Sequence, residues 1–103
     1  MTVPESEHRL EEPLLTELLL TLEGWQRDGE AITKTFTLKG FKGAMAFVNH
    51  VAEAAIAADH HPDIHIENYK TVRLVLTTHA THGLSQADID FAKAIDAVAR
   101  TAS

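Results

Sequence analysis

The chain is 103 residues long, 45% hydrophobic and 23% charged, with a formal net charge of -6 and no cysteine. That length suits one domain with a modest core. The acidic balance speaks against direct nucleic-acid binding, and the absence of thiols excludes disulfides, cysteine nucleophiles and thiolate zinc sites. No stretch approaches the ~18 apolar residues of a membrane-spanning helix, and MTVPESEHRLEEP has neither a basic nor an apolar signal region, so a cytoplasmic protein off the membrane is expected.

Residues 1–12 are polar and charged, which predicts a flexible N-terminal segment ahead of a domain over 13–103. Pro13, then Leu14, Leu15, Leu18, Leu19 and Leu22 at helical spacing, with Gly24 as a stop, predict a helix over 13–22. Trp25–Arg27 reads as a short strand and Asp28-Gly29 as a turn; EAITKTFTL, 30–38, is a strand rich in β-branched and aromatic residues. Gly40 interrupts it. Phe41, Ala44, Met45, Val48, Val51, Ala52 and Ala55 then share one helical face, which predicts a second helix over 41–58.

Pro62 disfavours helical geometry at the residue before it. Asp63–Ile66 follows as a short strand, Glu67-Asn68 as a turn, and Tyr69–Thr78 as a longer strand. In that strand Val72, Leu74 and Leu76 alternate with Thr71, Arg73, Val75 and Thr77, the pattern of a half-buried antiparallel strand. HATHG reads as a loop. Ser85 with Asp88 has the spacing of a cap and a first-turn acid for a third helix carrying Ile89, Ala92, Ile95 and Ala99. The order helix, two strands, helix, two strands, helix predicts an α+β fold: a single-domain, two-layer sandwich of a four-stranded antiparallel sheet with helices on one face. Open sheet edges make pairing between subunits an expectation.

Five of the seven histidines lie between 60 and 82: His60, His61, His65, His79 and His82. A metal site is one reading, but there is no HExxH, and Pro62 keeps His61 and His65 off a common helix. Acid/base chemistry is a second, because imidazoles exchange protons near neutrality. His60 and His61 sit at the end of helix two, braced by Pro62, and His79 sits just past the long strand. Pairing of 63–66 with 70–78 would let the two locations approach. The third reading is surface or helix-end histidines, and it is the one assigned to His8 and His50.

His60-His61-Pro62, six residues, Tyr69, nine residues, His79, eight residues and Asp88 together resemble the signature of the pterin-4a-carbinolamine dehydratase family. Gly24-Trp25, Ile32 and Phe36 ahead of FKGAMAF, HHPDI at 60–64, Thr78-His79 and GLSxxD at 83–88 extend the resemblance over about residues 10–100. It implies the same sandwich fold and a homodimer or homotetramer. It also implies dehydration of a 4a-hydroxytetrahydropterin to a quinonoid dihydropterin, with no metal or redox cofactor, recycling the pterin after an aromatic amino acid hydroxylase has used it.

By position, the resemblance implies that His60, His61 and His79 line the pterin pocket: His60 and His79 as proton donors, His61 as a binding or accepting group. Pro62, Thr78, Asp88 and Tyr69 become substrate-binding or orienting residues. Asp88 orients a histidine, or serves helix three as its N-terminal acid; Tyr69 contacts substrate, or packs beside the strand; Pro62 shapes the junction. One position departs from the family: Ile56 stands where an acidic or polar residue is usual, with Glu53 one turn earlier as a partial substitute. The alternative function is a catalytically weak family member serving as a pterin-binding or protein-interaction module for a hydroxylase or a transcription partner. Its surface would be helix two, where Phe47 and Ala54 flank the main apolar stripe.

Overall fold

The computed structural model describes residues 8–102. The elements in chain order are α1 (Leu14–Leu19), β1 (Gln26–Asp28), β2 (Ala31–Thr37), α2 (Gly40–Ala58), β3 (Asp63–Glu67), β4 (Thr71–Leu76) and α3 (Gln86–Ala102), with a short 3-10 turn at His79–Thr81. The four strands form one sheet in the order β1-β2-β4-β3, every neighbouring pair antiparallel. Among the described residues no helix is long and apolar enough to cross a membrane.

Alternation in the strands and helical spacing in the helices aim the same residues at one core. Ile32 on β2 and Val72, Leu74 and Leu76 on β4 are fully buried. Phe47 and Val51 of α2 and Ile89, Ala92 and Ile95 of α3 are fully buried as well. Burial of each large apolar side chain is worth about 1.5–3 kcal/mol, so this two-layer contact dominates the stability. Phe47 therefore belongs to the core and not to an outer surface of α2. A line of aromatics runs through the layer, with ring centroids 6.3 Å apart for Trp25–Phe36 and 5.0 Å for Phe36–Phe47. Trp25 is tied down by its indole N–H, which lies 3.2 Å from both Asp96 carboxylate oxygens, while Lys34 Nζ donates to Asp96 Oδ1 at 2.9 Å.

Three boundaries differ from the sequence expectation by more than one residue. The α1 helix stops at Leu19, and Thr21 and Leu22 then donate to Leu18 and Leu19 in tighter, 3-10-type bonds before Gly24 at φ +83. The turn of the second hairpin falls on Asn68 and Tyr69, both left-handed (φ 50 and 53), so β4 begins at Thr71 and not at Tyr69. Its far end is Leu76, because Thr78 leaves the ladder to bridge Gly83. The flexible segment expected over 1–12 lies in part outside the described residues. Within them, Leu10 N–H donates to Leu84 O at 2.8 Å, and Arg9 bridges Ser85.

Candidate functional site

The end of α2 determines where the paired histidines go. Asp59 adopts the left-handed conformation (φ 53), and His60 N–H donates to Ala55 O at 3.0 Å. That reversal folds His60 back against the protein, where it is buried, and leaves its neighbour His61 exposed. Pro62, half-buried, leads directly into β3. Register then does the rest: β3 pairs with β4 from Asp63↔Val75 to Glu67↔Thr71, so the start of β3 lies beside the end of β4. Just past that end comes Thr78, and Thr78 N–H donates to Gly83 O at 3.1 Å, closing a loop that contains His79 and His82.

The third contribution comes from the start of α3. Ser85 and Asp88 are fully buried. Asp88 Oδ1 lies 2.6 Å from His60 Nε2; Asp88 Oδ2 accepts from Thr78 Oγ1 at 2.7 Å and from Ser85 N–H at 3.0 Å. Thr78 Oγ1 and Ser85 Oγ are 2.6 Å apart. A carboxylate only accepts hydrogen bonds, and a threonine hydroxyl has one proton. Thr78 therefore spends its proton on Asp88, Ser85 donates to Thr78, and His60 carries its Nε2 proton toward Asp88. The acid thus fixes both the tautomer and the plane of the His60 ring. It also caps α3 by reaching back to the Ser85 N–H, as in a capping box, so the two roles considered for Asp88 coexist in one side chain. The His60 ring meets Phe91 edge-on at 5.8 Å and 87°.

His79 is exposed and lines a cavity of about 290 Å³ with Glu30, Ala31, Thr77, Thr78 and His82. Thr78 is the link: it borders this cavity and also holds Asp88. His60 borders a separate cavity of about 260 Å³ between α2 and α3. The structure thus joins His60, Thr78 and Asp88, with His61 and Pro62 next to them in the chain and His79 adjacent through Thr78.

Tyr69 is different. It lies in the turn at the opposite end of the five-residue β3, 60% exposed, and a strand of that length spans roughly 16 Å. Within one chain it is not brought to the cluster. Ile56 is 75% exposed on the last turns of α2. Ser85 was legible as a helix cap but not as a member of the network, although its spacing to Asp88 carried the signal. Glu30 and His82 reach the cavity only through tertiary folding.

A larger cavity of about 780 Å³ borders Leu22, Lys34, Phe36 and Asp96 but no histidine. Asp88 and Asp96 are roughly 12 Å apart along α3, so it is remote from the proton-carrying groups. Among the described residues, no group of three or more His, Cys, Asp or Glu side chains is arranged to hold a metal ion.

A family model described as pterin 4 alpha carbinolamine dehydratase matches residues 8–98. A protein of Thermomicrobium roseum, provisionally named pterin-4-alpha-carbinolamine dehydratase, is 47% identical over 85 residues, covering 82% of this chain and 90% of its own. One from Roseiflexus sp. with the same provisional name is 49% identical over 90 residues, covering 87% and 96%. Among solved structures, a transcriptional coactivator/pterin dehydratase from Brucella melitensis matches with a TM-score of 0.83 and 37% identity, over 89% of this chain and 99% of that one. A pterin dehydratase-like protein described as a RuBisCO assembly factor in the alpha-carboxysome matches with a TM-score of 0.60 and 26% identity, over 73% and 86%.

Proposed function

The chain belongs to the pterin 4 alpha carbinolamine dehydratase family, and from that membership we propose that it dehydrates a 4a-hydroxytetrahydropterin to the quinonoid dihydropterin by histidine acid/base catalysis. The observation that carries this reading is the buried Asp88 holding His60 while Thr78 joins the same carboxylate to the cavity of His79.

In the reaction the C4a–O bond breaks, its electron pair leaves with the oxygen, and an acid delivers the proton that makes water. N5 gives its proton to a base, and the electron pair freed there forms the C4a=N5 bond. Protons balance between one donor and one acceptor, and no electrons are gained or lost. His79, exposed in its cavity, supplies the proton to the departing hydroxyl; His61, exposed beside His60, takes the proton from N5, and His60, held by Asp88, positions the pair. Each positioned acid or base is worth about 10²–10⁴ in rate. Substrate supply comes from an aromatic amino acid hydroxylase in the cytoplasm. The protein works as a homodimer or homotetramer, for which the edge strands β1 and β3 offer unpaired backbone groups.

The test is the rate of quinonoid dihydropterin formation from chemically generated 4a-hydroxytetrahydropterin, with a chelator present. Wild type accelerates it, and His60→Ala and His79→Ala each lower the acceleration about 100-fold or more. A wild-type rate equal to the spontaneous one would refute the proposal.

One observation favours a second reading, a protein-interaction module. Phe41, Met45, Val48, Ala52 and Ile56 recur at helical spacing along α2; Phe41 and Ile56 are 57% and 75% exposed, and the three between are half-buried. Such an apolar line suits a partner helix or a second copy of this chain. Retained turnover after Phe41→Glu and Ile56→Glu, with loss of self-association, assigns the line to oligomer contacts and not to catalysis.

A further inference from the structure

We propose that His82 is a second imidazole of the substrate cavity, acting beside His79 on the pterin 4a-hydroxyl; this rests on the dehydratase reading above. The two histidines flank one 3-10 turn, His79 as its first residue and His82 as the residue that ends it. His82 N–H donates to His79 O at 3.3 Å, and both side chains line the same cavity of about 290 Å³. The Thr78–Gly83 bridge closes the loop behind them, so their separation is set by backbone hydrogen bonds.

The chemistry of the lining singles out these two groups. Thr77 Oγ1 donates to Glu30 O at 2.7 Å, the Glu30 carboxylate pairs with Arg9 at 2.8 Å, and the Thr78 hydroxyl is committed to Asp88. The ionisable side chains of this cavity that lie outside those bonds are the imidazoles of His79 and His82. His82 is also left-handed, with φ 55. Outside glycine that conformation costs about 1 kcal/mol or more, and such positions cluster at binding and catalytic sites. Glycine would make the same turn without strain; the imidazole is what the strained position adds. With His79 it supplies two proton-bearing groups to one departing oxygen, so that one donates while the other orients the hydroxyl and then the product water.

The test uses variants that tolerate the left-handed turn, His82→Asn and His82→Gly, in the dehydration assay with wild type and His79→Ala alongside. Expected is a kcat about 10-fold lower or more, a KM within about 2-fold, and a change in the same limb of the pH–rate profile that His79→Ala alters. Thermal unfolding of both variants stays at or above wild type. In parallel, the wild-type imidazole C–H signals are followed by NMR during titration with 7,8-dihydrobiopterin, and those of His79 and His82 shift together. Both variants retaining kcat within about 2-fold and the wild-type profile would overturn the inference. A silent His82 signal while His79 shifts would overturn it too. If wild type lacks dehydratase activity, the reading of the reaction fails on its own, and the titration still decides whether His82 shares the pterin cavity.

Discussion

Asp88→Asn probes the network at its centre while preserving shape. Asp88 accepts from three donors in a fully buried position. An asparagine keeps one acceptor oxygen, and the Ser85 backbone N–H, which cannot turn, retains it. The amide NH₂ must then face His60 Nε2, donor against donor, until the imidazole moves its proton to Nδ1. Hydrogen bonds to a charged acceptor contribute about 1.5–3 kcal/mol against about 0.5–1.5 for neutral ones. Converting three from charged to neutral therefore removes about 3 kcal/mol, a large share of a total stability of about 5–15 kcal/mol. At about 4–8 °C per kcal/mol for a domain of this size, Tm falls by roughly 12–24 °C. Circular dichroism melting measures the fall, and imidazole ¹⁵N shifts report the tautomer. A drop below about 4 °C, with the His60 proton still on Nε2, would show that Asp88 neither carries this stabilisation nor sets the histidine.

Thr78→Val keeps the β-branched shape and removes the hydroxyl that Ser85 donates to and Asp88 accepts from; it costs about 1–2 kcal/mol by urea denaturation, and combined with Asp88→Asn the loss is less than the sum because both act in one network. Phe47→Ala opens a cavity between α2 and the sheet and costs about 3–5 kcal/mol with an unchanged urea m-value; a loss under 1 kcal/mol would mean that the two layers do not meet at Phe47. Asp59→Gly goes the other way: at φ 53 glycine relieves the left-handed strain and raises stability by about 0.5–1 kcal/mol, with the His60–Asp88 contact intact by NMR.

Much of the fold is legible residue by residue. The alternation of Val72, Leu74 and Leu76 predicts the inward face of β4, and all three are buried; of the helical stripe predicted on α2, Ala44, Val51 and Ala55 are buried, Met45, Val48 and Ala52 are half-buried and Phe41 is exposed. Gly24, Gly40 and Pro62 mark the element ends to within a few residues. Where the boundaries move, a local pattern gave way to hydrogen bonding. Tyr69 has a strand-forming side chain, yet the reversal between β3 and β4 takes it into the left-handed region. Phe47, set beside the main stripe of α2, is fully buried against the Phe36 ring; its spacing of three residues from Ala44 and four from Val51 already carried that signal.

The candidate site divides along the same line. By itself the sequence determined the types and order of the groups: paired histidines before a proline, a histidine after a long strand, and an acid one turn into a helix. These follow from spacing along the chain, and spacing is local. Only the tertiary structure decided which of them meet. The antiparallel register of β3 on β4 and the docking of α3 bring Asp88 onto His60, 28 residues away, and onto Thr78, 10 residues away. The same register sends Tyr69 to the far end of the hairpin, and the loop closed by the Thr78–Gly83 bridge brings His79 and His82 to one cavity. The physical reason is that periodicity states which face of an element is apolar, whereas the partner of a buried polar group is set by chain reversals and by the demand that every buried donor and acceptor be satisfied.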